Sequence, residues 1–98
     1  MKTLEQAYRE FNFDTMVQQH LAGTPNALNA YTECCGRFLG QNRIALIWEG
    51  KNGKTQYWTF EQLAEASGQL AHYMTSLGLE AGDCIAGLLP RTPELLIT

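Results

Sequence analysis

No apolar run in this sequence approaches the roughly 20 residues that a membrane-spanning helix needs; the longest, such as Ile85 to Leu89 with its embedded glycine, fall far short. No basic stripe exists either. Seven Lys and Arg stand against ten Asp and Glu, for a net charge of −3, which argues against an electrostatic grip on nucleic acid or on an anionic membrane. The cysteines number three, with two adjacent, so no disulfide framework follows. Cys34-Cys35 lacks the two-residue gap of a zinc or redox pair, and both thiols are expected to be buried and structural. The opening stretch "MKTLEQAYREF" carries Glu5, Arg9 and Glu10 where an export signal would be apolar, and a cytoplasmic location is expected. G-x-S-x-G, H-E-x-x-H and the dinucleotide glycine fingerprint are absent, as are internal repeats and low-complexity segments.

What is present suits one domain or less. The 98 residues are 45% hydrophobic and 17% charged, enough for a modest core. The first forty residues read as helical. Thr3 and Gln6 have capping-box spacing ahead of Leu4, Ala7, Tyr8 and Phe11, which recur at helical intervals over residues 3–11. A second, short helix has Asp14 as its N-cap, Met16, Val17 and Leu21 facing inward, and Gly23 as its stop. A third starts at Thr24-Pro25, a cap followed by proline at the first helical position. Leu28, Tyr31, Cys35 and Phe38 line one of its faces, Gly36 weakens it and Gly40 closes it.

The period then changes. "RIALIW" (43–48) and "TQYWTF" (55–60) are rich in β-branched and aromatic residues and read as strands. Between them, Asn52-Gly53 is the pair best suited to the centre of a type I′ hairpin turn. Gly53-Lys54-Thr55 imitates the end of a phosphate-binding loop. That loop, however, needs a glycine five positions before Gly53, where this chain has Trp48, and a helix directly after. The stretch is therefore read as a hairpin exit.

The clearest helix covers 60–77. Thr59 caps it and Gln62 completes a capping box. Phe60, Leu63, Leu70, Ala71, Met74 and Leu77 form its apolar stripe, while Glu61, Glu65, Gln69, His72 and Ser76 face water. Gly78 suits a left-handed C-terminal position, with Leu79 folding back. After the turn "EAGD", "CIAGLLP" (84–90) reads as a buried strand. Thr92, Pro93 and Glu94 then open a further helix. Strand, helix, strand and helix start make the beginning of an α/β layer.

Candidates for chemistry are sparse. His20 and His72 stand on separate helices without an acid or cysteine at ligand spacing. Glu61 and Glu65 share a face that reads as solvated helix surface. Arg91 and Glu94 flank a helix start at a strand's C-terminal end, a common ligand position in α/β folds, though a cap with a surface ion pair accounts for them. Trp48, Tyr57, Trp58 and Phe60 read as an aromatic core or interface cluster. The residues themselves assign no catalytic, cofactor-binding or metal site.

From "YWTFEQLAEASGQLAHYMTSLGLEAGDCIAGLLPRTPELLIT" the order of features resembles the N-terminal part of the AMP-forming adenylate enzymes. The first family motif is roughly Leu-Thr/Ser-Tyr-x-Glu-Leu. Trp58-Thr59-Phe60-Glu61-Gln62-Leu63 resembles it, with Trp for Leu, Phe for Tyr, and Glu and Gln where the pattern has a free position and Glu. The turn "GLEAGD", the apolar strand and "LPRTPELL" follow in family order. Upstream, "FNFDTMVQQHLAG" is similar to medium-chain acyl-CoA synthetases, and "NALNAYTECCGRFLGQNRIALIWEG" to the acetyl-CoA synthetase type.

The resemblance implies an α/β fold, an incomplete N-terminal portion of the large domain of an adenylate-forming enzyme. A helical lead-in (1–40) would precede the start of the AMP-binding domain (41–98), with hairpin 43–60, helix 60–77, strand 84–89 and a helix start at 93–98. It implies a parent ligase, acetyl-CoA synthetase-like and of fatty-acid metabolism, that activates a carboxylic acid with ATP and Mg²⁺ and passes the acyl group to coenzyme A. The family's phosphate loop, adenine and ribose contacts, hinge and catalytic lysine have no counterpart among these residues, so the segment alone is expected to be inactive and to bind no cofactor. Two further readings stand beside this one: an adenylation domain that loads a carrier protein, and a small interaction module self-associating through exposed strand edges.

Overall fold

A computed structural model describes residues 1–98. The chain forms two compact units, Met1–Arg37 and Phe38–Thr98.

The first unit is built from short helices closed by side-chain caps. Helix α1, Leu4–Glu10, starts at Thr3, whose hydroxyl accepts from the Gln6 N–H while the Gln6 side chain accepts from the Thr3 N–H, the expected capping box. Lys2 pairs with Glu10 along it. Helix α2 spans Phe13–His20. Its N-cap is Asn12 rather than Asp14: the Asn12 side chain accepts the Thr15 N–H at 3.0 Å, and Asp14 lies inside the first turn, where a carboxylate favours the helix dipole. Of the residues expected to face inward, Val17 is buried at 8% exposure and Leu21 is half-buried, while Met16 is exposed.

The third helix departs most from expectation. Thr24-Pro25 does not begin it. Those residues form a tight turn, with the Ala27 N–H donating to the Thr24 carbonyl at 2.9 Å. Helix α3 covers only Ala30–Cys34 and is capped by Asn29, whose side chain accepts the Thr32 N–H. Asn competes at least as well as Thr for an N-cap, and Gly36 marks the change from α-helix to the 3₁₀ turn Gly36–Phe38.

In the second unit, strands β1 (Ile44–Glu49) and β2 (Thr55–Thr59) pair antiparallel, with Leu46 opposite Trp58, Ile47 opposite Tyr57 and Trp48 opposite Gln56. A register shift between Ile44 and Leu46 makes Ala45 a bulge residue. Cross-strand partners share a face. Leu46, Trp48 and Trp58 thus lie half-buried on one side, and Ile47 and Tyr57 lie exposed on the other. The expected aromatic cluster is split by this register.

The hairpin loop also differs in detail. The Gly53 N–H donates to the Gly50 carbonyl and the Gly50 N–H to the Lys54 carbonyl, both at 2.9 Å. Lys51 and Asn52 are the central turn residues, and Gly53 follows them at φ +74° while Asn52 stays at negative φ. A three-residue loop with a left-handed glycine replaces the two-residue type I′ turn. The Asn52 side chain accepts the Lys54 N–H instead.

Helix α4, Phe60–Ser76, follows β2 directly, and its capping box forms as the spacing predicts. It ends in a Schellman pair. The Leu79 N–H reaches the Met74 carbonyl, the Gly78 N–H reaches that of Thr75, and Gly78 sits at φ +85°. Phe60, Leu63, Leu70 and Met74 are half-buried along it, whereas Ala71 and Leu77 are exposed. Beyond the Glu80–Asp83 turn, residues 84–90 form no strand. No chain segment offers them a ladder, so the expected buried strand is an exposed stretch. Helix α5 is Glu94–Ile97; Pro93 precedes it without a side-chain cap bond, so Thr92 is not its N-cap.

Candidate functional site

Polar chemistry in the second unit concentrates where β1, β2 and α4 meet. Thr59 ends β2 and caps α4, which aims the Glu61 carboxylate back at the loop before β1. Glu61 Oε1 accepts the Gly40 N–H at 2.9 Å and the Asn42 N–H at 3.1 Å, and Asn42 holds a left-handed φ of +48°. Next to this clasp the Arg43 guanidinium lies 5.3 Å from the Phe38 ring centre and 5.7 Å from that of Phe60. The two rings are 5.0 Å apart and tilted. Hydrogen bonds from its own backbone N–H, then from Asn42, Gly40 and the Thr59 hydroxyl, hold Glu61 below the ordinary carboxylate value of 4.5, against opposition from burial. Glu61 is thus not the solvated surface residue that its helical position implied.

A second link joins β1 to the end of the 84–90 stretch: the Trp48 indole Nε1–H donates to the Arg91 carbonyl at 2.8 Å. Glu94 accepts from the Thr92 hydroxyl, the foremost cause of its lowered pKa, with its own N–H second. Along β2 and α4, Gln56, Trp58, Gln62, Glu65 and Gln69 border an open groove.

The first unit has a parallel device. Glu33 of α3 receives the N–H of Ala22 at 3.0 Å and that of Gly23 at 2.7 Å, and pairs with Arg37 at 3.0 Å. Arg37 also donates to the His20 carbonyl at 2.6 Å. The backbone donors, Ala22 first and then Gly23, lower the Glu33 pKa, with Arg37 adding to them and burial opposing.

The remaining sequence candidates stay apart. His20 and His72 are exposed on α2 and α4. Cys34 and Cys84 are exposed and Cys35 is half-buried, none of them in a disulfide, so of the adjacent pair expected to be buried Cys34 is exposed and Cys35 only partly enclosed. Nowhere do three or more His, Cys, Asp or Glu side chains gather as metal ligands would. Gly53-Lys54-Thr55 leads into β2 instead of a helix. What the arrangement does chemically is hold backbone: two carboxylates neutralise unpaired N–H groups of loops that strands and helices leave open. Sequence reading missed both, because their partners lie 10 to 21 residues away. The one available signal was Glu61's place in the first turn of a strongly capped helix.

Comparison with known proteins fits this frame. The family described as "AMP-binding enzyme" matches residues 38–98, the whole of the second unit. The chain belongs to that family. The acetyl-coenzyme A synthetase of Pseudoalteromonas translucida is 33% identical over 72 residues, 70% of this chain and 11% of that protein. Human mitochondrial acyl-coenzyme A synthetase ACSM2B is 36% identical over 86 residues, covering 87% of this chain and 13% of its own. Among solved structures, the crystal structure of a Brucella canis acyl-CoA synthetase superposes with a TM-score of 0.89 at 37% identity, over 99% of this chain and 18% of that one. The chain therefore spans about a tenth of the length of the curated relatives it matches. No helix is long and apolar enough to cross a membrane.

Proposed function

We propose that these residues are a structural segment of an AMP-forming acyl-CoA synthetase. The whole protein joins a carboxylic acid to coenzyme A through an acyl-adenylate, consuming ATP. The observation that carries this reading is the 0.89 superposition on an acyl-CoA synthetase over 99% of the chain at 37% identity. In such a reaction Mg²⁺ would offset phosphate charge. Preorganised donors would stabilise charge developing at the acyl carbon.

None of that chemistry is assigned to a residue of this chain. Its own part is to set the hairpin and α4 through the Thr59 cap and the Glu61 clasp, so that elements supplied by the rest of the protein have a fixed base. The segment alone neither binds the substrates nor turns them over, and the parent works in the cytoplasm.

The test is acid-dependent thioester formation by the whole protein carrying this segment, supplied with ATP, coenzyme A and a series of short- and medium-chain acids. AMP release coupled to acyl-CoA is the expected result. Acyl transfer to a carrier protein but not to coenzyme A would overturn the choice of acceptor, and absence of any acid-dependent AMP release would overturn the reading.

A further inference from the structure

Asn52-Gly53 is the one place in the sequence where an asparagine precedes a glycine; Asn12, Asn26, Asn29 and Asn42 precede Phe, Ala, Ala and Arg. Both residues of the pair are exposed at the tip of the hairpin. The backbone nitrogen that follows an asparagine can close on the asparagine's side-chain carbonyl carbon. The main obstacle is the side chain of the attacking residue, which glycine lacks. At Gly53 the place a Cβ would occupy has nothing within 4 Å.

The hairpin treats the two reacting groups differently. The Asn52 carboxamide folds back over Gly50, where an added Cβ would lie 2.9 Å from Oδ1. That oxygen accepts the Lys54 N–H at 3.1 Å, and a donor on a carbonyl oxygen stabilises the charge that gathers there under attack. The Gly53 nitrogen is tied instead. Its N–H donates to the Gly50 carbonyl at 2.9 Å, and the Gly50 N–H closes the loop on the Lys54 carbonyl. The electrophile is prepared while the nucleophile is held back. Elsewhere the arrangement is absent: Asn12 and Asn29 direct their side-chain oxygens to helix N-termini, and every other asparagine is followed by a residue with a Cβ.

We propose that Asn52-Gly53 is a self-modification site gated by the hairpin turn. Once the bond from Gly53 to Gly50 opens, the Gly53 nitrogen gives up its proton and bonds to Asn52 Cγ. The Cγ–Nδ2 bond breaks, and the amide leaves as ammonia with a proton taken up in place of the one released. A cyclic imide remains. Water opens it at one carbonyl to leave aspartate, or at the other to leave isoaspartate, in which the main chain runs through the former side chain. The first product sets a carboxylate between Lys51 and Lys54 and makes the net charge of −3 one unit more negative. The second lengthens the main chain inside the loop and so disturbs the pairing of Glu49 with Thr55. Every group the reaction needs, apart from water, is in this chain, so it proceeds whether or not the chain is part of a synthetase.

The experiment incubates the 98-residue chain at mildly alkaline pH, in buffer and in denaturing guanidinium, in water enriched in heavy oxygen. Peptide mapping then follows the replacement of NH by labelled O at each asparagine and separates aspartate from isoaspartate. Modification at Asn52 ahead of every other asparagine is expected in both solvents. It should run about tenfold slower in buffer, the factor that about 1.4 kcal/mol makes and the order of one net hydrogen bond. Gly53→Ala should slow the reaction in both solvents, whereas a loosened turn alone would speed it in buffer; the opposite sign separates the chemistry from a structural effect.

A rate at Asn52 as fast in buffer as in guanidinium would overturn the gate. Modification spread evenly over the asparagines, or an Asn52 left intact in guanidinium, would overturn the site. So would a Gly53→Ala chain that reacts in guanidinium as fast as the unaltered one.

Discussion

Glu61 does at one position what a capping residue does at a helix end: it accepts N–H groups that no ladder reaches, those of Gly40 and Asn42. Its lowered pKa fixes the direction of the pH effect. A carboxylate more acidic in the folded state stabilises that state above the ordinary value of 4.5, and the contribution fades as pH falls from there through the folded pKa. Exchange at the Gly40 and Asn42 amides, corrected for intrinsic rate, should therefore accelerate as pH drops below 4.5. In Glu61→Gln that extra acceleration should vanish. If both proteins gave the same profile, Glu61 would not be the clasp. Thr59→Ala removes the reciprocal partner of Gln62 and should weaken the first turn of α4 by about 0.5–2 kcal/mol, the usual cost of a lost cap. The readout is amide exchange at Gln62, and an unchanged rate would show that the box carries no free energy.

Among the elements, α4 and the hairpin were legible in the sequence because their determinants are local. Thr59 with Gln62, Gly78 with Leu79, and the aromatic and β-branched runs all act within a few residues. Asn12 and Asn29, not Asp14 and Thr24, are the caps: several cap-competent side chains stand close together, and propensity hardly separates Asn from Asp and favours Asn over Thr only modestly. The hairpin was legible but its turn was not. Asn-Gly serves a type I′ turn and a glycine-bulge loop equally well, and the choice depends on the strand register. At the far end of α4, an added Cβ at Gly78 would meet nothing within 4 Å, so Gly78→Ala should cost only the strain of its φ of +85°, about 1–2 kcal/mol. Faster exchange at Leu79 together with reduced helicity checks this. Wild-type exchange would mean that the Schellman bonds tolerate alanine. Gly53→Ala, also in open space at positive φ, should loosen the hairpin by a similar amount. Nucleotide affinity of the parent should not change.

For the molecule as a whole, Val17 and Pro93 carry the only buried side chains, while many large apolar residues, Leu4, Phe11, Tyr73 and Leu96 among them, stand exposed. The denaturant slope follows the surface newly exposed on unfolding. The isolated chain should therefore unfold in urea over a broad, shallow range, and a steep two-state transition would contradict this. The 84–90 stretch was read as a buried strand because its composition is that of one. Burial, however, belongs to the ladder a strand joins, and no such ladder exists among these residues. Beyond Glu61's place in the first turn of a capped helix, the sequence held no sign that the candidate site would consist of loop clasps, since both depend on contacts distant along the chain.

The Trp48–Arg91 hydrogen bond has an optical consequence. The chain holds two tryptophans, and Trp48 alone donates its indole N–H to the carbonyl at the exit of the 84–90 stretch. Indole emission responds to the polarity and bonding around that N–H, so in a Trp58→Phe protein the emission would come from a single reporter attached to the stretch. Loss of the bond to the Arg91 carbonyl would shift that emission, making Trp48 a built-in gauge of whether the 84–90 stretch is held.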